Sequence, residues 1–354
     1  MDNVLVHHNS ELAIHPGYYL KEYIETVGFT QDDFAKRLGT TPKNLCCLLK
    51  GEQSLSPDMA ARISRVIGTS IQVWLNLQNH YDELVMKFKQ EDELKEEKKL
   101  FKLIDYNYFI NNYNLPEQKE NNLKLEDVRK TLKLASLNIL KDIDFYTRFK
   151  SSKELNEIDI VRANIMAILA TNKALEIETP RYNKNKFLES IDKILELTTN
   201  SNPIEKIKEI LFKCGVNLII QPHMKGSKII GATKKLKYKI VLMISDKANT
   251  IDKFFYTLFH EIAHIVNNDF GLTFENDSNK RELYANDYAN NKLIDLVSYN
   301  DFIEEKDFSY DSIIKFSFKM KRNPAIIIHR LECDNLIKKN NQDFNNLKYE
   351  LSFN

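Results

Sequence analysis

Glycine and proline are scarce in this 354-residue chain, at nine and eight residues. So few breakers exclude a collagen-like or linker-rich polypeptide and leave room for long helices. Cysteine is scarcer still. Cys46, Cys47, Cys214 and Cys333 form no CxxC pair, which excludes a disulfide framework and reads as four reduced thiols. Net charge is almost missing: 51 Lys and Arg stand against 50 Asp and Glu. No global field therefore directs the chain to a polyanion or a membrane surface, and any case for nucleic acid must be made locally. Long apolar runs are absent as well. No stretch approaches bilayer length, and residues 1–10 lack a basic segment followed by an apolar run, so the expectation is a cytoplasmic protein with no membrane partner.

What is present is a globular composition, 43% hydrophobic and 29% charged, in a chain long enough for two or three cores. From Gly17 to Asn79 the apolar spacing and turn signals give five short helices. Tyr19, Leu20, Tyr23, Ile24 and Val27 form the first apolar face, and Gly28 ends it. Thr30 caps a second helix at 31–38, closed by Gly39. Thr41 with Pro42 opens a third to Lys50, Ser56 with Pro57 a fourth to Gly68, and Ser70 a fifth through Trp74 and Leu77. The charge-dense stretch 81–102 reads as a solvated connecting helix. Further helices are expected at 123–140, 158–174, 187–197 and 204–214. The period then switches to β at 216–221, 228–232 and 239–244, giving a small antiparallel sheet, before a long helix capped by Thr250 and another at 280–296. The fold class is thus mostly α (α+β). Boundaries fall at 1–82 for the five-helix domain, 83–200 for a helical connecting region, 201–300 for a domain with the small sheet, and 301–354 for a C-terminal helical segment.

Two helices joined across Gly39 and Thr40 fit the geometry in which the second lies in the DNA major groove. Phe34, Ala35, Leu38 and Leu45 would fix the crossing. Thr41, Lys43, Asn44 and Lys50 remain for groove or phosphate contacts, and Gln31 could reach a phosphate. Any helix-Gly-helix junction in a bundle shares this pattern, and residues 1–80 carry seven basic against eight acidic side chains, so topology alone does not decide for DNA. The residues do more. The segment HPGYYLKEYIETVGFTQDDFAKRLGTTPKNLCCLLKGEQSLSPDMAARISRVIGTSIQVWLNLQNHYD resembles the HigA-type antitoxin branch of the XRE helix-turn-helix family, from His15-Pro16-Gly17 through Thr30-Gln31, Ala35, Gly39 and Gly51 to Trp74-Leu75-Asn76-Leu77-Gln78. The resemblance implies a dimeric repressor with a double-stranded DNA operator as partner. Adjacent Cys46 and Cys47 depart from the family pattern and leave the bases read undetermined; one of them is expected to be a small core residue.

A second motif lies in Phe259-His260-Glu261-Ile262-Ala263-His264. Histidines four residues apart project from one helix face with the spacing that suits a single zinc ion, and Glu261 beside them is placed to act as general base toward water. Phe254, Phe255, Leu258, Phe259, Ile262 and Val266 would bury the rest of that helix. Glu282 on the following helix is the best candidate for a third ligand, with Asn286 one turn on orienting its carboxylate. Asp269, Glu275 and Asp277 are weaker alternatives in a polar loop, expected to be solvated. Two histidines on a buried helix face could also simply hydrogen-bond to neighbours. His223 is a looser candidate for an oxyanion donor, and His329 is read as structural.

The strings FFYTLFHEIAHIV and RELYANDYANNKLI, with the β-rich residues before them, resemble the ImmA/IrrE metallo-endopeptidase family over about 204–296. The stretch 323–337 resembles the tail of fused antitoxin-peptidase proteins. These resemblances imply a zincin-like domain holding Zn2+ on His260, His264 and Glu282, with Glu261 as general base in peptide-bond hydrolysis of a repressor or other protein substrate. Tyr284 and Tyr288 depart from the family's usual residues without removing a ligand. A different class of function stays open: a repressor or antitoxin whose zinc domain senses a ligand or binds a cognate toxin and cleaves nothing.

Overall fold

The computed structural model describes residues 4–141, 156–274, 279–339 and 341–353. Two four-residue strands come first, β1 (Leu5–His8) and β2 (Glu11–Ile14), paired antiparallel from Leu5↔Ile14 to His8↔Glu11. The sequence reading did not anticipate them. Asn9, at φ 53°, makes the turn, the left-handed backbone that Asn tolerates better than most residues.

Each of the next four helices starts where a side chain accepts from an otherwise orphaned backbone N–H. His15 caps α1 (Pro16–Val27), Thr30 caps α2 (Gln31–Leu38), Thr41 caps α3 (Pro42–Leu49), and Ser56 caps α4 (Pro57–Ile67). Gly28, Gly39 and Gly68 end three of them with positive φ. The fifth helix and the connecting helix expected at 81–102 are one element, α5 (Ile71–Phe101). No Gly or Pro occurs between Thr69 and Leu115, so nothing at His80 stops propagation. Leu20, Ile24, Phe34, Ala35, Leu38, Leu45, Leu48, Ile63 and Trp74 make one core. At ~1.5–3 kcal/mol for each large side chain buried, this core and the caps can hold the unit.

The chain divides into two compact units, Met1–Lys98 and Lys99–Asn354. In the second, α6 (Tyr106–Tyr113) and α7 (Asn121–Leu132) precede a 3-10 turn at Leu137–Lys141. Lys133, left-handed at φ 56°, ends α7 earlier than the expected helix 123–140. Then come α8 (Glu157–Glu176), α9 (Lys184–Glu196), α10 (Ile204–Lys213), β3 (Val216–Gln221), β4 (Ile229–Lys235) and β5 (Ile240–Ser245). The long helix α11 (Ile251–Asn267) leads to β6 (Gly271–Phe274), a strand not foreseen, and to α12 (Lys280–Leu293). Thr250 takes the cap position of α11 without a side-chain cap hydrogen bond. Asp295 caps a new helix, α13 (Leu296–Glu304), so the helix expected through 296 stops at Ile294. α14 (Tyr310–Met320) and α15 (Pro324–Cys333) follow.

The sheet runs β3-β5-β4-β6 and is mixed, which corrects the expected antiparallel sheet. β4 and β5 form an antiparallel hairpin, and β5 slots between β4 and β3 so that β3 and β5 run parallel. β6 adds antiparallel to the far side of β4. The mostly α assignment with a small sheet holds: the structure is 63% helical. Helix α11 packs on β4 and β5, with α12 and α15 alongside. Its Phe254, Phe255, Leu258, Phe259 and Ile262 join Leu242 and Ile244, Phe187 and Ile191 of α9, and Ile327 and Leu331 of α15 in one core. Among the described residues no helix is long and apolar enough to cross a membrane.

Candidate functional site

Helical periodicity puts His260 and His264 one turn apart on α11, and the apolar remainder of that helix drives the pair inward to 3% and 1% exposure. Asn279 caps α12 by accepting from the Arg281 and Glu282 backbone N–H groups, which sets Glu282 in the first turn, 2% exposed and facing the histidines. Glu282 Oε2 lies 2.9 Å from His260 Nε2 and Oε1 lies 3.5 Å from His264 Nε2, while the two Nε2 atoms are 3.1 Å apart. All three donor groups thus converge within 4.8 Å.

The other ring nitrogens show what this convergence is fitted for. His264 Nδ1 is 2.7 Å from Asp269 Oδ1, and His260 Nδ1 is 2.9 Å from Asn286 Oδ1. With Nδ1–H donating to those oxygens, each neutral imidazole turns its Nε2 lone pair toward the other and toward a carboxylate. Acceptors facing acceptors call for a cation between them, and two imidazoles plus one carboxylate is a donor set that suits zinc. The acidic surroundings draw positive charge into the cluster, onto an ion or onto His264 itself. Burial works to lower the His264 pKa, but hydrogen bonds to Asp269 and Glu282 outweigh it and raise it to about 10. Burial works to raise Glu282, yet the two histidines bring it down to about 2.

Glu261 is fully buried, and burial pushes its carboxyl pKa up, with His264 and His260 opposing. Neither carboxylate oxygen makes a hydrogen bond of normal geometry among the described residues, although Thr273 is close enough to favour the charged form. The carboxylate lies against the backbone of Gly231 on β4, where a Cβ would come within 2.6 Å of the Glu261 Cδ. Gly231 therefore makes the space that Glu261 occupies. The sequence reading missed this residue; a glycine inside a β-rich run was the available signal.

Two expectations are corrected. Asp269 is not solvated in a loop but 7% exposed, held by Asn267 Nδ2 at 2.8 Å while its backbone carbonyl accepts from Arg281 Nη2 at 2.7 Å. Its polar neighbours made it look solvated, but α11 ends at Asn268 in a left-handed cap that folds Asp269 back onto His264. Asn286 orients His260 rather than Glu282, because its Oδ1 accepts from both His260 Nδ1 and the Tyr256 hydroxyl, the latter at 2.8 Å. Glu275 and Asp277 lie outside the described residues. The His223 backbone N–H donates to Asp246 Oδ1 at 2.8 Å and its ring faces Ser245 Oγ, while His329 pairs with Asp252; neither joins the cluster.

In the first unit, Gln31 opens α2 and is exposed, as are Lys43 in the first turn of α3 and Lys50 at its C-cap. Thr41 Oγ1 is occupied as the cap, accepting from the Asn44 backbone N–H at 3.2 Å, and Asn44 Nδ2 donates to Thr40 Oγ1 at 2.9 Å. Cys46 and Cys47 are both half-buried; Leu45, Leu48 and Leu49 fill the core side of α3. The sequence reading also missed Arg62, which donates to the carbonyls of Leu38 and Gly39 at 3.3 and 2.8 Å and staples the turn between α2 and α3. Residues 20–74 match the helix-turn-helix family HTH_3. An uncharacterized HTH-type transcriptional regulator, YddM, from Escherichia coli is 39% identical over 64 residues, 18% of this chain and 68% of its own length. This chain belongs to the helix-turn-helix family. Virulence-associated protein I of Dichelobacter nodosus is 33% identical over 86 residues, 24% of this chain and 77% of that protein. A solved HigA-family addiction module antidote protein from Coxiella burnetii is 29% identical, covering 24% of this chain and 92% of its own, at a TM-score of 0.23. Each match is to a minor share of the chain, so the helix-turn-helix membership describes its N-terminal part.

Proposed function

We propose that this helix-turn-helix protein is a transcriptional regulator that binds a double-stranded operator through α2 and α3 and carries a zinc-dependent endopeptidase site in its second unit. The observation that supports the second half is the convergence of His260, His264 and Glu282 beside a buried Glu261. His260, His264 and Glu282 would hold the ion, which when bound supplies Lewis-acid polarisation and a lowered pKa for water. Glu261, raised by burial, accepts a proton from the attacking water and returns it to the leaving amine. Asp269 and Asn286 fix the two imidazole tautomers. For the first half, the family match and the HTH-type regulator among the relatives support DNA as partner, with Lys43 and Lys50 on phosphates or bases and Gln31 on a phosphate. A homodimer would match the two-fold symmetry of an operator.

The burial of all four side chains, at 0–3% exposure, favours a second reading in which the zinc domain senses a ligand or holds a toxin and cleaves nothing. Glu261→Gln separates the two. Wild-type and variant protein are incubated with repressors from the same cell and fragments are sought by mass spectrometry. Cleavage by the wild type alone supports the peptidase. Absence from both under inducing conditions supports the sensor, and cleavage that persists in the variant removes Glu261 from the chemistry.

A further inference from the structure

Outside the proposed metal site, α15 and the start of α11 bring together a thiol, an imidazole and a carboxylate. His329 and Cys333 stand four residues apart on one face of α15, and Cys333 Sγ lies 3.6 Å from His329 Nε2. The opposite ring nitrogen, Nδ1, lies 3.3 Å from Asp252 Oδ2 in the first turn of α11. Asp252 is 1% exposed, and Lys348 Nζ, 3.7 Å away and bridged to Glu332, is the other cation beside it. Cys333 itself is exposed. This is the order nucleophile, base, orienting acid, with the nucleophile at the surface and the acid at the bottom. We propose that Cys333 is an activated thiolate, held by the His329 imidazolium and Asp252, that is oxidised by hydroperoxides.

Electrostatics point the same way. The hydrogen bond from His329 lowers the Cys333 pKa against the opposing effect of burial, with Lys339 assisting and Asp334 resisting. Burial would lower His329, yet Asp252 outweighs it and raises the imidazole to about 9, so the cation persists at neutral pH. Tyr256, whose ring centre is 5.0 Å from that of His329, also faces the pair from α11. In the reaction the Cys333 sulfur attacks the terminal oxygen of the hydroperoxide. An S–O bond forms, the O–O bond breaks, and the departing alkoxide takes the proton of the His329 imidazolium. Sulfur loses two electrons to the peroxide and ends as a sulfenic acid. Cys214 is buried, so the reductant in this scheme is an external thiol.

The full-length chain is titrated with iodoacetamide across the range around about pH 7, and each cysteine is followed by peptide mass spectrometry. Cys333 should label with a midpoint below that of the same cysteine in urea, and His329→Gln should raise that midpoint. Labelling of buried Cys214 reports any unfolding of the variant; in that event the wild-type comparison between folded and urea-unfolded chain decides alone. With tert-butyl hydroperoxide and dimedone, the trapped sulfenic acid should appear at Cys333 at least about fivefold faster than at Cys46 or Cys47. Equal midpoints in folded and unfolded chain, or oxidation at Cys46 and Cys47 as fast as at Cys333, overturn the proposal.

Discussion

Gly231 carries no side chain, and the carboxylate of Glu261 uses that room. Gly231→Ala must push either the strand or the carboxylate away, at about 1–3 kcal/mol of overpacking. The expected outcome is retained zinc, read by metal analysis after dialysis, with loss of whatever depends on Glu261. Asp269→Asn acts on the opposite quantity. It removes the carboxylate that holds His264 Nδ1, and zinc affinity should fall about 10- to 100-fold in a competition titration. Equal affinity would sink the role given to Asp269. The pair of histidines was readable because a four-residue spacing needs only a helix to become a face. Asp269 and Gly231 were not, since their roles arise from a helix cap and a strand that approach α11 only after folding. The ion pair of Asp252 and His329 adds a pH effect. Burial opposes the charge on both, but their mutual attraction sets His329 at about 9 and Asp252 at about 2. A raised imidazole stabilises fully below the ordinary value of 6.5 and loses its contribution as pH climbs through about 9. The depressed carboxylate stabilises above 3.8 and loses its contribution as pH falls toward about 2. The stability difference between wild type and His329→Gln, from urea midpoints, should therefore shrink from about pH 6.5 upward.

At the scale of elements, the short helices were readable and the short strands were not. Thr30, Thr41 and Ser56 act locally, each on the N–H three residues ahead, so a cap can be found without knowing the fold. Strand β6 exists only because β4, some forty residues earlier in the chain, offers it an edge. The hairpin of β1 and β2 likewise leans on its surroundings: Lys87 on α5 reaches Glu11 at 2.7 Å, and the His8 ring sits 4.9 Å from Phe88. The turn between α2 and α3 has a similar remote support in Arg62. Arg62→Ala should loosen that turn and weaken operator binding by about tenfold while costing about 1 kcal/mol in stability, since charged donors to backbone carbonyls carry about that much. Fluorescence anisotropy on operator and random duplex checks it. Unchanged affinity would make Arg62 a surface residue whose hydrogen bonds leave the reading helix unaffected.

The whole molecule is two units, and each should keep its own chemistry. The fragment 1–98 has the first core and, beyond it, the part of α5 that carries Lys87 and Phe88, and is expected to bind duplex DNA with steep salt dependence despite its near-neutral balance. Glu261→Gln in the full chain should leave that binding unchanged, because Gln keeps the size of the side chain and lies in the other unit. With a core of its own in each unit, the chain is expected to have no single melting temperature. A calorimetric trace should hold two transitions, and the ratio of calorimetric to van't Hoff enthalpy for the whole trace should exceed one. A chelator then acts as a label: zinc at about a hundred times its dissociation constant stabilises the folded state by about 2.7 kcal/mol, so removing it should move one peak and leave the other in place.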